Sequence, residues 1–162
     1  AVQYFAKETT TIWSMVDSAN QERLYQPIRE DGASAWDIIA HMAIASRELL
    51  KLARASYKAA KAGNPPPWAG PEFDLHRWNV EQVTQWSGTS FTDIRRHWQE
   101  TITGLETFAH SLQPDDLTIP VKFATGQDMT LIELLNTMSF HLRQHRQELQ
   151  KGFATLDQKA EH

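Results

Sequence analysis

The chain has 162 residues, 41% of them hydrophobic. This length and composition predict a single domain, residues 1–162, with a buried core. The net charge of −4 and the lack of a cluster of Lys and Arg argue against a nucleic-acid partner. There is no cysteine, so disulfides and cysteine nucleophiles are excluded, and His, Asp and Glu are the candidate metal ligands. No apolar run approaches the ~20 residues of a membrane span, and no signal peptide is evident. We therefore expect a cytoplasmic protein without a membrane partner.

The first half of the chain predicts two long helices. Helical periodicity runs from about Val2 to Leu24 and is then interrupted by a segment that contains proline. A capping box of Ser34 and Asp37 begins a second helix, which ends at Gly63 before three prolines. Its inward stripe is spaced by three and four residues and comprises Ile38, His41, Ala45, Leu49 and Leu52. His41 therefore takes a core position near the start of this helix.

The middle of the chain predicts a third helix between two long loops. The first loop has the sequence NPPPWAGPE, and the helix then runs from about Phe73 to Leu112. Gly88 and a second capping-box pattern at Ser90 and Asp93 indicate a break or a kink near residues 87–90, and we predict one helix with a kink there. The second loop, from Gln113 to Asp128, contains two prolines and a glycine, and its alternation over residues 118–123 predicts a short extended piece or a turn. No internal repeat is visible.

The last helix is predicted from Met129 to Phe153. A capping box of Thr130 and Glu133 begins it, and Gly152 is expected to end it. One apolar stripe runs along this helix and comprises Leu131, Leu134, Leu135, Met138, Leu142 and Leu149. Four long helices without a convincing sheet predict an all-α fold, a four-helix bundle with long loops between helices 2 and 3 and between helices 3 and 4.

Two histidines of the last helix lie on its apolar stripe. His145 is seven residues after Met138, and His141 is seven residues after Leu134, so both stand where core leucines are expected. Histidines four residues apart have Cβ atoms about 5–6 Å apart on one helix face, close enough to share a metal ion. The alternative is a pair of neutral core histidines hydrogen-bonded to neighbouring helices. If helices 2 and 4 are neighbours, His41 faces this pair, and three imidazoles leave an open coordination position, as in catalytic metal sites.

Three segments carry a resemblance to a known family. They are SAWDIIAHMA in helix 2, FDLHRWNVEQV at the start of helix 3 and MTLIELLNTMSFHLRQHRQEL in helix 4. Together they resemble the DinB-like or YfiT-like superfamily of metal-binding four-helix bundles. The DLHRWN segment is similar to the related mycothiol-dependent maleylpyruvate isomerase N-terminal domains. The resemblance implies a divalent metal, zinc or nickel, bound by His41, His141 and His145, and a homodimer.

The resemblance also implies a choice of functions. Some members are S-transferases or isomerases that use a low-molecular-weight thiol, such as bacillithiol, mycothiol or glutathione, as co-substrate. Coordination to a divalent cation stabilises a thiolate at neutral pH without any protein cysteine. The alternatives are a non-enzymatic metal-binding stress or interaction protein and a metal-dependent hydrolase. The spacing of the residues names no catalytic acid or base, so whether the chain is an enzyme stays open at this point.

Other residues that could belong to a site have simpler interpretations. His76, His97 and His110 lie off the inward stripes and are interpreted as surface or helix-end histidines. Trp36 and Trp68 are interpreted first as core or interface aromatics, with the mouth of a pocket as the alternative. Arg143, Arg146 and Glu148 of the last helix are expected to be solvated. Asn79 is interpreted as an ordinary polar helix residue, with contact to a ligand or a helix end as the alternative.

Overall fold

The computed structural model describes all 162 residues and is mostly helical, which confirms the all-α class. It contains five α-helices, two short 3-10 turns and one small hairpin. The helices are α1 (Val2–Ser18), α2 (Ala35–Lys61), α3 (Leu75–Gln85), α4 (Phe91–Ser111) and α5 (Leu131–Ala160). The strands β1 (Pro120–Lys122) and β2 (Asp128–Thr130) pair antiparallel, so the predicted extended piece is the first half of a hairpin. The 3-10 turns are Glu22–Tyr25 and Pro114–Thr118.

The core lies between the four long helices. Helix α2 packs against α4 and α5, and α1 packs against the same two helices. The apolar stripe predicted for α5 is confirmed, because each of its members is buried: Leu131, Leu134, Leu135, Met138, Leu142 and Leu149. Helix α3 has no buried residue and packs on the outside of α2. None of the helices is both long enough and apolar enough to cross a membrane.

The stripe predicted to face the core on α2 is partly wrong. Ile38 is buried, but Ala45, Leu49 and Leu52 are only half-buried and line a cavity. The neighbouring stripe carries the core contacts and comprises Ile39, Met42, Ser46, Leu50 and Ala53. Because α2 contacts three helices, its apolar arc is wider than one stripe, and the part that bears His41 borders the cavity.

The single third helix predicted from the sequence is also wrong, since α3 and α4 are separate elements. Helix α3 ends at Gln85, and Gly88 adopts a φ of +82°, in the left-handed region that glycine tolerates best. The Ser90 side chain then accepts a hydrogen bond from the Asp93 amide and begins α4. The Trp36 indole donates to the Thr89 carbonyl oxygen at 2.9 Å and fastens this break to α2.

Two helix ends differ from the prediction. Helix α1 ends at Ser18, because the Asn20 side chain accepts from the Arg23 amide at 3.0 Å and begins a separate 3-10 turn. Gly152 does not end α5, which continues to Ala160. A Cβ atom at Gly152 would lie 2.6 Å from the Cβ of Ile28, so this glycine lets the loop before α2 pack closely against α5.

The predicted starts of the two histidine helices are confirmed. Ser34 and Asp37 form a reciprocal capping box at α2, and Thr130 and Glu133 form one at α5. Helix α2 ends with the Asn64 amide bonded to the Ala59 carbonyl at 2.8 Å, as in a Schellman motif. These caps fix the helical register of His41 and of the α5 pair.

Candidate metal site

The interface between α2 and α5 brings together the three histidines singled out from the sequence. His41 lies in the second turn of α2, and its Nε2 atom is 3.1 Å from the Nε2 atom of His141. The Nε2 atom of His145, one turn further along α5, is also 3.1 Å from that of His141. The three donor atoms lie within 4.8 Å of one another, so the group could hold a metal ion.

The separations of the nitrogen atoms suit a shared cation better than hydrogen bonds. Two nitrogens bound at about 2.0–2.1 Å to one tetrahedral zinc ion lie roughly 3.3 Å apart. A ring nitrogen has either one hydrogen or one lone pair in the ring plane, so His141 Nε2 cannot make good hydrogen bonds to both neighbours. An all-imidazole donor set suits zinc, nickel or copper. The residues present therefore fit a divalent transition metal.

Burial keeps two of these imidazoles in the form that binds metals. Burial is the main cause that lowers the pKa of His41 to about 4, and the charges of His145 and Arg29 lower it further while Glu148 opposes them. Burial likewise lowers the pKa of His141 to about 3, with smaller contributions from the other two histidines. Both rings are therefore neutral at pH 7, and a neutral imidazole offers a lone pair to a metal.

Glu148 contacts the site, although the sequence placed it on a solvated face. Its carboxylate accepts a hydrogen bond from His145 Nδ1 at 2.9 Å, and Arg29 Nη1 lies 3.4 Å from the same Oε2 atom. Arg29 is held in turn by Asp31, whose pKa it lowers to about 2 through their hydrogen bond. With Nδ1 protonated, the lone pair of His145 is on Nε2, which points to the cluster. The spacing of three residues between His145 and Glu148 on one helix was the signal available in the sequence.

The polar residues that precede Glu148 on α5 differ in exposure and in hydrogen bonding. Arg143 is exposed, as expected. Arg146 is not solvated, because its guanidinium forms a half-buried ion pair with Glu8 of α1. The Nδ1 atom of His141 is buried without a hydrogen-bond partner. Only one of the three imidazoles is thus oriented by a carboxylate.

We predict that Glu148→Ala weakens metal binding by about 10–100-fold, the usual effect of removing an outer partner of a ligating histidine. The Glu148→Gln variant should recover part of this loss, because its side-chain oxygen can still accept from His145 Nδ1. Competition with a chromophoric chelator measures both affinities. The exposed neighbour Gln147 provides a matched control as Gln147→Ala. Equal affinity in Glu148→Ala and the control would contradict a role for Glu148 in orienting His145.

Two cavities reach the histidine cluster from different sides. The first, which we call the apolar cavity, has a volume of about 360 Å³ and includes His41 and His141 among its lining residues. The second, the polar cavity, has a volume of about 430 Å³ and includes His41 and His145 together with Arg29 and Asp31. Asn79 of α3 lines both cavities, so this residue, expected on the sequence to be an ordinary polar helix position, lies beside the site.

The remaining candidates lie at or away from these cavities. Trp68 lines the apolar cavity, as expected of a pocket mouth, whereas Trp36 is buried in the core. His76 is exposed at the rim of the polar cavity. His97 packs against Trp86 with ring centroids 5.1 Å apart, and His110 lies in the last turn of α4. None of these three histidines joins the cluster.

Comparisons with known proteins give one match. A family model described as the DinB superfamily matches residues 4–149, which cover both histidine helices. No curated protein and no solved structure matches. The match spans most of the chain and confirms the resemblance seen in the three sequence segments. The chain therefore belongs to the DinB superfamily.

Proposed function

We propose that this protein is a divalent-metal-dependent enzyme that transfers or isomerises a substrate with the help of a low-molecular-weight thiol. The observation that carries the proposal is the position of the three clustered imidazoles on the wall between two cavities. A site that only stores an ion needs no cavity of ligand size next to it, whereas two cavities allow two reactants to approach. Zinc and nickel are the proposed metals, held by His41, His141 and His145.

The four-helix bundle of the family is part of this proposal. Helices α1, α2, α4 and α5 would be its members, because each packs against two of the others. Helix α3 would then be an addition that closes the two cavities over α2. The homodimer and the cytoplasmic location stay predictions from the sequence.

The metal would supply one chemical effect, which is to lower the pKa of a thiol sulfur that coordinates to it. The chain has no cysteine, so the thiol must come from a small molecule. The polar cavity suits such a molecule, since Arg29, Asp31, His76 and Asn79 offer hydrogen bonds to its polar groups.

Hydrolysis is less well supported, because the acidic side chains near the site already have partners. Asp37 accepts from the amide and the hydroxyl of Ser34, both at 2.8 Å. Glu48 pairs with Lys51 at 2.7 Å and lies two helical turns from His41. Glu148 is bonded to His145 and Asp31 to Arg29. None of these carboxylates is free to act as the base that activates a water molecule.

We predict that the correct thiol will bind directly at the histidine site. Adding it to cobalt-substituted protein should produce a sulfur-to-cobalt charge-transfer band and release a proton, because a thiol must ionise to coordinate. Bacillithiol, mycothiol and glutathione would be titrated in turn, and proton release would be followed in weakly buffered solution. The His41→Ala variant is the control in which the band should be lost.

If none of the three thiols produces the charge-transfer band or releases a proton, with cobalt bound and the protein folded, the proposal is contradicted. A metal-holding protein or a hydrolase would then be the better account. Turnover of activated esters without thiol would indicate the hydrolase, since that reaction needs only a bound hydroxide.

A further inference from the structure

Four aromatic residues from three parts of the chain form one wall of the apolar cavity. Trp68 comes from the loop before α3, Phe73 and Trp78 from the region where α3 begins, and Phe123 from the end of the hairpin. The ring centroids of Phe73 and Trp78 are 6.3 Å apart, with an angle of 51° between the planes. Rings set at such angles offer both faces and edges to a flat ligand, and stacking adds to the gain from apolar burial.

The charged residues of this cavity are already neutralised. Lys122 Nζ lies 2.7 Å from Asp128, its cross-strand partner in the hairpin. Glu48 Oε1 lies 2.7 Å from Lys51 and 3.1 Å from Arg47. An ionised ligand would therefore find no unpaired opposite charge and would lose its hydration in a mostly apolar space. This charge arrangement selects a neutral ligand.

A small set of polar groups remains for a neutral ligand. The Asn79 side chain makes no hydrogen bond within the protein, so its amide can both donate and accept. The Thr137 hydroxyl donates to the Glu133 carbonyl at 2.8 Å, which leaves its oxygen free to accept. A hydroxyl or carbonyl group on the ligand could bond to either residue, and both lie on the cavity wall with His141.

The aromatic wall is held in place before any ligand binds. The Trp68 indole donates to the Ala124 carbonyl oxygen at 3.1 Å, which ties the proline-rich loop to the hairpin. Gly126 has a φ of +92°, and a Cβ atom there would lie only 3.1 Å from the Trp68 ring. The three consecutive prolines before Trp68 further restrict the loop. A preformed cavity reduces the entropy lost when a ligand binds.

From these observations we infer that the apolar cavity binds a neutral, flat, ring-bearing group of the substrate, with its polar edge directed to Asn79 and Thr137. The inference rests on the proposed function for the chemistry that follows, since it assigns this cavity to the substrate and the polar cavity to the thiol. The binding step itself requires neither metal nor thiol, because the aromatic wall, the paired charges and the Asn79 amide belong to the chain.

Isothermal titration calorimetry with 1-naphthol, which is neutral at pH 7, tests the inference on metal-free and zinc-loaded protein. We expect saturable binding of one molecule per chain in both forms. In the metal-free protein the ionised analogue 1-naphthoate, which has the same ring system, should bind at least ~10-fold more weakly because its charge stays unpaired. Trp78→Ala should weaken 1-naphthol binding about 10-fold through loss of stacking and contact area.

The matched control is Phe140→Ala, which removes an exposed aromatic ring on α5 that does not line this cavity. It should leave the affinity for 1-naphthol unchanged. Ala45→Phe is a second variant, which fills the cavity from α2 and should abolish binding. Circular dichroism establishes that each variant is folded, and Ala45→Phe decides the matter if Trp78→Ala does not fold.

Two results would overturn the inference: no saturable binding of 1-naphthol, or equal affinities of the metal-free protein for 1-naphthol and 1-naphthoate. These failures are distinct from failure of the proposed function. Binding of 1-naphthol with no thiol band in the cobalt protein would leave the cavity assignment standing and remove the thiol chemistry. A thiol band without 1-naphthol binding would support the thiol chemistry and remove the cavity assignment.

Discussion

Replacing His41, His141 or His145 with alanine should each lower the affinity for zinc or nickel by more than about 100-fold. The reason is geometric, because the three Nε2 atoms lie within 4.8 Å of one another and no other histidine joins them. Removing an outer partner of a ligating histidine typically costs 10–100-fold, so removing a ligand should cost more. Element analysis after dialysis gives the metal content, which should be close to one ion per chain in the wild type.

A matched control removes an imidazole elsewhere. His97→Ala deletes a histidine that packs on Trp86 outside the cluster, and it should retain the metal. Metal-dependent thermal stabilisation provides a second readout, because a ligand at 1,000 times its Kd adds about 4 kcal/mol to the free energy of unfolding. This stabilisation should vanish in the three cluster variants. Near-stoichiometric metal in all three alanine variants of the cluster would contradict the histidine site.

The three histidines were predictable because periodicity and capping fix positions along and around a helix. The apolar stripe of α5 places His141 and His145 on its inner face, and the Thr130 cap sets where that helix begins. The Ser34 cap does the same for His41 on α2. The sequence pattern does not show which helices are neighbours, so the contact between α2 and α5 was an assumption, and the structure shows these two helices in contact.

The cavities and the surroundings of the cluster were not predictable in the same way. They depend on contacts between distant segments, such as the bond from Trp68 to the Ala124 carbonyl across 56 residues. Arg29 reaches Glu148 across 119 residues, so only the helical spacing of Glu148 from His145 could be seen in the sequence, and the arginine beside them could not. The break at Gly88 was predicted as a kink because the apolar periodicity continues through it, whereas in the structure the positive φ of Gly88 and the Ser90 cap separate the two helices.

The metal-free protein should lose stability in mild acid, and His141→Leu should reduce that loss. The pKa values of His41 and His141, about 4 and about 3 in the folded protein, lie below the 6.5 of a free histidine. Between pH 6.5 and about 4 the unfolded chain therefore binds more protons than the folded chain, so the free energy of unfolding falls as the pH falls. Above pH 6.5 neither group makes this contribution.

Each such histidine changes the free energy of unfolding by up to about 1.4 kcal/mol per pH unit in that window. The groups that face the pair are His145, Arg29 and Glu148, and they modify the effect of burial without reversing its direction. Leucine is the residue that the α5 stripe would otherwise carry at position 141, so His141→Leu removes the titrating group and keeps an apolar side chain.

Urea unfolding of chelator-treated protein between pH 7 and pH 4.5 measures these slopes. We expect His141→Leu to be more stable than the wild type at pH 4.5 and to have a shallower pH slope, because one of the two imidazoles with a lowered pKa is gone. Met138→Leu is the matched control, since it alters the same buried stripe without removing an imidazole and should keep the wild-type slope. Parallel pH profiles for the wild type and His141→Leu would show that burial of the neutral His141 ring does not govern acid sensitivity. The His141→Leu variant should also have lost the metal, so one substitution separates the stability of the helices from the function of the cluster.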